Sequence, residues 1–480
     1  MSTRKNKKLR KSKKIFQYKI RRKILSTQKN HKKKTLYKIR GGSPPMFENK
    51  NSLISAVKLA MTNGGYHIDS GKRIHISNWN VSNIEDMSNL FNSIPDFNYN
   101  ISDWDVSNVT NMSGMFEDCR SFNQPIGSWN VGKVENMSEM FRGCSNFDKP
   151  LYNWNVSNVK NMSSMFENCR SFNQPIGNWN VGKVENMSNM FLGCLMYGKI
   201  NINTSISKKT KNTEIIPTII SWNVSNVTNM SGMFSGCQEF NQPIGDWNVS
   251  NVTNMSYMFS RCLLFNQPIN SWDVSNVTSM MGMFKHCKSF NQAIGSWNVG
   301  KVENMSHMFA GCIIFGRENK MNTAKYKSVR RNTELISTIG DWNVSNVTNM
   351  SYMFSRCLEF NQPIGGWDVS NVKDMSFMFR DCVKFNQPIG NWNVSNVENM
   401  TEMFIGSGFD QEIIKWFNNR NPNLDMNTKF INGITYEQFF KEQHNMIYGK
   451  ASTNVMNKIG TKYNKDISVL TPHVFGFLKL

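Results

Sequence analysis

The sequence describes an α/β repeat solenoid of about twelve 25-residue units, each with a short strand and a short helix or turn. Tryptophan recurs at Trp79, Trp104, Trp129, Trp154, Trp179, Trp222, Trp247, Trp272, Trp297, Trp342, Trp367 and Trp392. Nine of the eleven steps are 25 residues; the other two are 43 and 45. A fixed period of this size marks units that cannot bury an apolar face alone and must stack. The second observation lies inside the unit. With Trp as position 0, apolar residues hold positions 0, 2, 5, 8, 11, 12, 15, 18 and 22: Trp104, Val106, Val109, Met112, Met115, Phe116, Cys119, Phe122 and Ile126 in one copy. Position 10, by contrast, runs through Gly114, Glu139, Ser164, Asn189, Tyr257, His307 and Phe377. A position that accepts Gly, Glu and Phe faces water, and one that stays apolar faces the core.

Each element follows from local spacing. Ile-x-x-Trp-x-Val, positions 22 to 2, holds a period-2 step and predicts a short strand. The spacing 5, 8, 11/12, 15 predicts a short helix or helical turn, with Ser107 at position 3 as its N-cap. Asn-Gln-Pro at 19 to 21 predicts a tight return, because Pro lacks the N–H of a central strand. Asn at positions 4, 7 and 19 predicts ladders in which stacked amides bond the backbone of neighbouring rungs.

The wording W-[DN]-V-S-N-V-x-N-M-S-x-M-F-x-x-C-x-x-F-N-Q-P-I resembles the BspA-type leucine-rich repeat family, and Ile-x-x-Trp-x-Val is similar to the strand motif of leucine-rich repeats. The match covers about residues 66 to 409. The resemblance implies a leucine-rich-repeat-like surface or interaction protein without enzymatic activity or cofactor. It also implies a capping helix in Ser52–Gly65, before the array.

The domain organisation predicted is a disordered basic arm and linker at 1–45 and a capping-helix region at 46–78. The solenoid runs over 79–409 with inserts at about 195–219 and 313–339, and capping helices and a tail fill 410–480. The chain carries a net +22, yet residues 1 to 40 hold eighteen Lys or Arg and no acid; the remaining 440 hold 38 basic and 34 acidic side chains. The basic character therefore belongs to the arm. Its candidate polyanion contacts are Arg4, Lys5, Lys7, Lys8, Arg10, Lys11, Lys13, Lys14, Arg21, Arg22, Lys23, Lys32, Lys33 and Lys34. Composition reads it as a solvated tail; a nuclear address, a phosphate contact and an anionic-membrane contact are the sharper alternatives. The two inserts are copies of one another and both basic. Lys208, Lys209 and Lys211 in one, and Arg330 and Arg331 in the other, form a candidate surface, or tolerated loops without a partner.

No apolar run is long enough for a transmembrane span, and no apolar signal core opens the chain. These features predict an intracellular or virion-associated protein over a classically secreted one. All ten cysteines fall at position 15, and they read as buried free thiols packed as small hydrophobes. None stands in a paired Cys/His metal spacing. No nucleophile, metal or carboxylate constellation recurs, so no catalytic residue, metal or cofactor is expected. The expected function is a non-enzymatic interaction protein presenting a repetitive surface to a protein or glycan. The alternative is a structural or virion-associated protein whose arm binds nucleic acid or another polyanion.

Overall fold

The computed structural model describes residues 47–69, 72–199, 218–317, 338–431 and 434–443. Helix α1 (Lys50–Thr62) opens with a capping box between Asn49 and Ser52, and buries Leu53, Ala56, Val57 and Ala60 along one face. Strands β1 (Tyr66–Asp69) and β2 (Lys72–His75) pair antiparallel, Tyr66 opposite His75. The repeats follow from Trp79. After them come α2 (Ile414–Asn419), the antiparallel pair β3 (Lys429–Ile431) and β4 (Ile434–Thr435), and a helical stretch over 436–443.

Each repeat is a rung that lies in register on the next. Parallel bridges link position 7 of successive rungs from Asp86 to Asn111, Asn136 and onward to Asn399. Around them the amides at positions 8, 10, 12 and 14 donate to the carbonyls at 7, 9, 11 and 13 of the following rung. In one rung these are Met112 to Asn136, Gly114 to Ser138, Phe116 to Met140 and Asp118 to Arg142, at 2.7–2.9 Å. The ladder crosses both inserts unbroken, through Asn186 to Asn229 and Asn304 to Asn349.

The strand expected at positions 22 to 2 is absent, and of the short helix or turn expected in each unit the described residues of the repeats carry turns and no α-helix. The buried residues are instead joined by i→i+3 turn bonds: Val109 to Val106, Met115 to Met112, Cys119 to Phe116, Phe122 to Cys119 and Trp129 to Ile126. A chain of such turns repeats its inward residues every three positions, which imitates helical spacing. Positions 10 and 14 carry positive φ in every rung, from Asn89 (58°) and Ser93 (59°) to Glu402 (50°) and Gly406 (68°). A left-handed third residue is what a type II turn requires. Ser107 is not an N-cap; its amide donates to Asp105 Oδ1 at 3.1 Å in an Asx turn.

The core is one continuous column. The Trp, Phe and Met rows are buried from end to end. Trp rings stack in parallel, for example Trp272 on Trp297 with centroids 6.4 Å apart and planes 3° apart. Each indole N–H donates to the position 22 carbonyl that lies three residues before the preceding Trp, as Trp129 does to Ile101 at 3.2 Å and Trp272 to Ile244 at 3.1 Å. Trp342, beyond an insert, bonds Ile294 in the same way. The Asn rows divide. Asn108 Nδ2 at position 4 donates to Ser82 O of the preceding rung, and Asn98 Oδ1 at position 19 accepts from the Asn123 amide of the next. Asn111 at position 7 bonds the Ser113 amide within its own rung, so it shapes a turn and is not a ladder between rungs.

The array extends past the expected boundary at 409. Phe409 and Ile413 continue the rows at positions 18 and 22, and Trp416 stacks on Trp392 at 6.1 Å while its indole donates to Ile389 O. The last rung then pairs with β3, since Glu402 and Phe404 donate to Lys429 O and Phe430 O. The inserts are also narrower than expected. Tyr197 and Phe315 fill the position 18 row, and Ile219 and Ile339 fill position 22, so the extra residues lie between them.

Replacing an interior Trp by Phe removes one rung-to-rung bond and part of the packed ring. Trp272→Phe should destabilise the chain by about 1–3 kcal/mol, read as a lowered urea midpoint. An unchanged midpoint would show that the indole bond contributes nothing.

Candidate interaction surfaces

Three outward faces are built by the same rungs. The first carries position 1. Asn80, Asp105, Asn130 and their copies each accept the amide two residues on, at 3.0–3.2 Å, so the row is fixed by backbone contacts. In Asp273 and Asp368, hydrogen bonds from the Ser275 and Ser370 hydroxyls, then their amides, hold the carboxyls below the usual carboxylate range.

The second face joins positions 4 and 6. Thr253 and Thr278 hydroxyls donate to the position 6 carbonyl of the preceding rung, at 3.2 and 3.3 Å. Lys133 and Lys183 reach back to Asn108 and Asn158 Oδ1, both at 2.8 Å. Where Thr278, Lys301, Glu303, Asn346, Thr348, Asn371 and Lys373 converge, the face dips into an open hollow of about 550 Å³.

The third face carries positions 10, 13, 14 and 16. In the early rungs it is polar and ion-paired. Arg142 lies 2.8 Å from Glu117 and 3.7 Å from Glu167. Glu117 is partly buried, and that burial raises its pKa against the opposing pull of Arg142. Later rungs place rings at position 10. His307 stacks on Tyr352 with centroids 4.5 Å apart and planes 10° apart, and Tyr352 on Phe377 at 4.4 Å and 13°. Arg380 lies 5.5 Å over the Phe377 ring and 3.1 Å from Glu402. Burial, then Lys285 and His286, push His307 down to about 4, so this imidazole is neutral at pH 7. Burial also lowers His286, followed by Lys285, Arg261, Arg356 and Lys288. A second hollow of about 360 Å³ opens here among His286, Lys288, Gly311, Ile313, Arg356, Leu358 and Asp381.

From the sequence, position 10, where His307 stands, reads only as facing water, and this face is not anticipated. Its signal was present: aromatic residues at position 10 occur only from Tyr257 onward. The arm residues from Arg4 to Lys34, and Lys208, Lys209, Lys211, Arg330 and Arg331 of the inserts, lie outside the described residues. Among the described residues, no group of three or more His, Cys, Asp or Glu gathers to hold a metal ion, and no helix is long and apolar enough to cross a membrane.

All ten cysteines are buried and unpaired. Each thiol donates to the position 12 carbonyl of the preceding rung, as Cys119 does to Phe91 and Cys262 to Phe234, both at 3.0 Å. Burial pushes Cys119 up to about 12 and raises the others further.

A family model described as Mycoplasma protein of unknown function, DUF285, matches residues 60–170, 127–214, 200–324 and 319–442. The chain belongs to the DUF285 family. The four matches overlap and together run from α1 to the helical stretch after β4, so this is a repeat protein of that family across the whole stacked region. No curated protein and no solved structure matches the chain.

Because burial disfavours the thiolate, the native DUF285 array should leave its cysteines unreactive at pH 8, while all ten react after denaturation. Folded pKa values above the ordinary 9.0 mean that the thiols stabilise fully below pH 9 and progressively less above it. Thiol labelling counted by mass, with urea midpoints taken across that range, checks both. Labelling of several native cysteines, or a flat alkaline profile, would contradict the assignment.

Proposed function

We propose that this chain is a non-enzymatic interaction protein, a BspA-like, leucine-rich-repeat-type solenoid that presents its repetitive outward rows to a protein or glycan partner. One observation carries the reading. The rungs place the same polar side chains in register over a long rigid face, and at positions 4 and 6 that face dips into a hollow flanked by Lys301 and Lys373. An extended partner meets the same chemistry at each rung, so many weak contacts add along its length. The segments around α1 and β3 serve as caps, which shield the apolar ends that any stack exposes.

The charge of residues 1 to 40 favours a second reading, in which a basic arm binds a polyanion through its phosphates or sulfates and the array acts as a spacer. One experiment separates the two. Immobilised full chain, a chain lacking residues 1 to 45, and the Lys301→Glu/Lys373→Glu variant are each tested for retained proteins and on a glycan array, with and without nuclease. The interaction reading expects partners that survive arm deletion and nuclease and are lost in the double variant. Partners lost with the arm, or on nuclease treatment, would transfer the function to the arm.

A further inference from the structure

The third face changes character midway along a stack whose core is copied almost without change. In the first six rungs, from Trp79 to Trp222, positions 9 to 18 hold three basic and six acidic residues. In the next five, from Trp247 to Trp367, they hold six basic and two acidic. Position 10 changes with them. It is Asn, Gly, Glu or Ser in the first six rungs and then Tyr257, Gly282, His307, Tyr352 and Phe377.

The fold does not require those rings. Position 10 has positive φ in every rung, a conformation that suits Gly or Asn and is unusual for bulky residues. Tyr257, His307, Tyr352 and Phe377 hold it at 57–58°. Strain of this kind, with no role in the core, points to a task at the surface.

The row also has one gap. At Gly282 there is no side chain between Tyr257, one rung before, and His307, one rung after. Two rungs separate those positions by roughly 9.6 Å at ~4.8 Å per rung, room for one planar group at close to the 4.4–4.5 Å centroid spacing of the His307, Tyr352 and Phe377 stack. The Tyr257 ring now leans across this gap, since a Cβ built on Gly282 would collide with it. Turning the ring upright, as in the Tyr352–Phe377 stack, opens the slot. His286 belongs to the same rung as Gly282, and the hollow beside it is lined by Lys288 and by Arg356, which lies 3.5 Å from Asp381; Arg261 and Lys285 act on the same imidazole. Arg261, Lys288 and Arg356 are exposed.

We propose that this strip binds single-stranded nucleic acid. An unpaired base stacks in the slot over Gly282 between Tyr257 and His307, and the flanking phosphates run along Arg261, Lys285, Lys288 and Arg356. Rings that accept any base and cations that follow the backbone are the two components of sequence-tolerant single-strand binding. Neutral His307 suits a stacking partner better than a phosphate contact. Its residues are other than those of the basic arm and of the polar face at positions 4 and 6.

The test uses the full chain with a labelled oligothymidylate, and the duplex of that strand with oligoadenylate as reference. Duplex affinity reports the arm, because a paired base cannot enter the slot. Gly282→Tyr completes the ladder with a residue that position 10 already accepts, and Lys285→Gln with Arg261→Gln removes rim charge without touching the core. Both should weaken single-strand binding about tenfold, the loss of one stacked base or of two phosphate contacts, and leave duplex binding unchanged. Arg142→Gln, on the same face of an early rung, should change neither. Thermal melts confirm that each variant is folded. The proposal is overturned if both variants bind single strands like the wild type. It is equally overturned if only the charge variant weakens while a polyglutamate peptide competes with the strand, which would make the strip an acidic-protein site.

Discussion

Everything in this molecule depends on one constraint: the backbone of positions 6 to 14 must lie in register on the rung above and the rung below. That segment supplies four amide donors per rung to the following rung and one, at position 6, to the preceding rung, and they are satisfied only if each 25-residue circuit returns to the same place. The left-handed residues at positions 10 and 14 turn the chain so that alternate amides point along the stack. An insertion is tolerated where it leaves this segment intact, and both inserts lie in the return between positions 18 and 22.

A second tier of bonds explains why particular residue types recur. The position 22 carbonyl accepts the backbone N–H of the Trp three residues on and the indole N–H of the Trp one repeat further along. The position 12 carbonyl accepts the Cys amide of its own rung and the Cys thiol of the next. Trp and Cys are thus more than shapes that fill space. Each carries the polar hydrogen that ties adjacent rungs through an otherwise apolar core, where an unsatisfied carbonyl is costly. Phe or Ala at these places would keep much of the burial and lose the tie.

The core was legible in the sequence and the backbone was not, for a physical reason. All nine apolar positions are buried, because comparing copies such as Trp104–Ile126 and Trp247–Ile269 separates inward from outward residues whatever the secondary structure. Spacing of three, however, is shared by an α-helix and by consecutive i→i+3 turns. The deciding clue was position 14, where Gly143, Gly193, Gly236 and Gly311 alternate with Asp118 and Asn168. Such residues would weaken a helix and suit left-handed turns. Trp416 was missed because one residue is deleted between Ser407 and Phe409, giving a step of 24. The ring strip was missed for a different reason. His307 and Tyr352 are 45 residues apart in the chain and become neighbours only when the insert between them is removed from the count.

Amide hydrogen exchange resolved to single residues tests the register most directly. The account predicts that in interior rungs the amides at positions 8, 10, 12 and 14, such as Met255, Tyr257, Phe259 and Arg261, are the slowest to exchange. Those at positions 3 and 9, such as Ser250 and Ser256, bond only to an Asx side chain in their own rung and should exchange faster. Slow exchange concentrated at positions 22 to 2, with rapid exchange through 8 to 14, would place the inter-rung ladder on the other segment and contradict the fold described here.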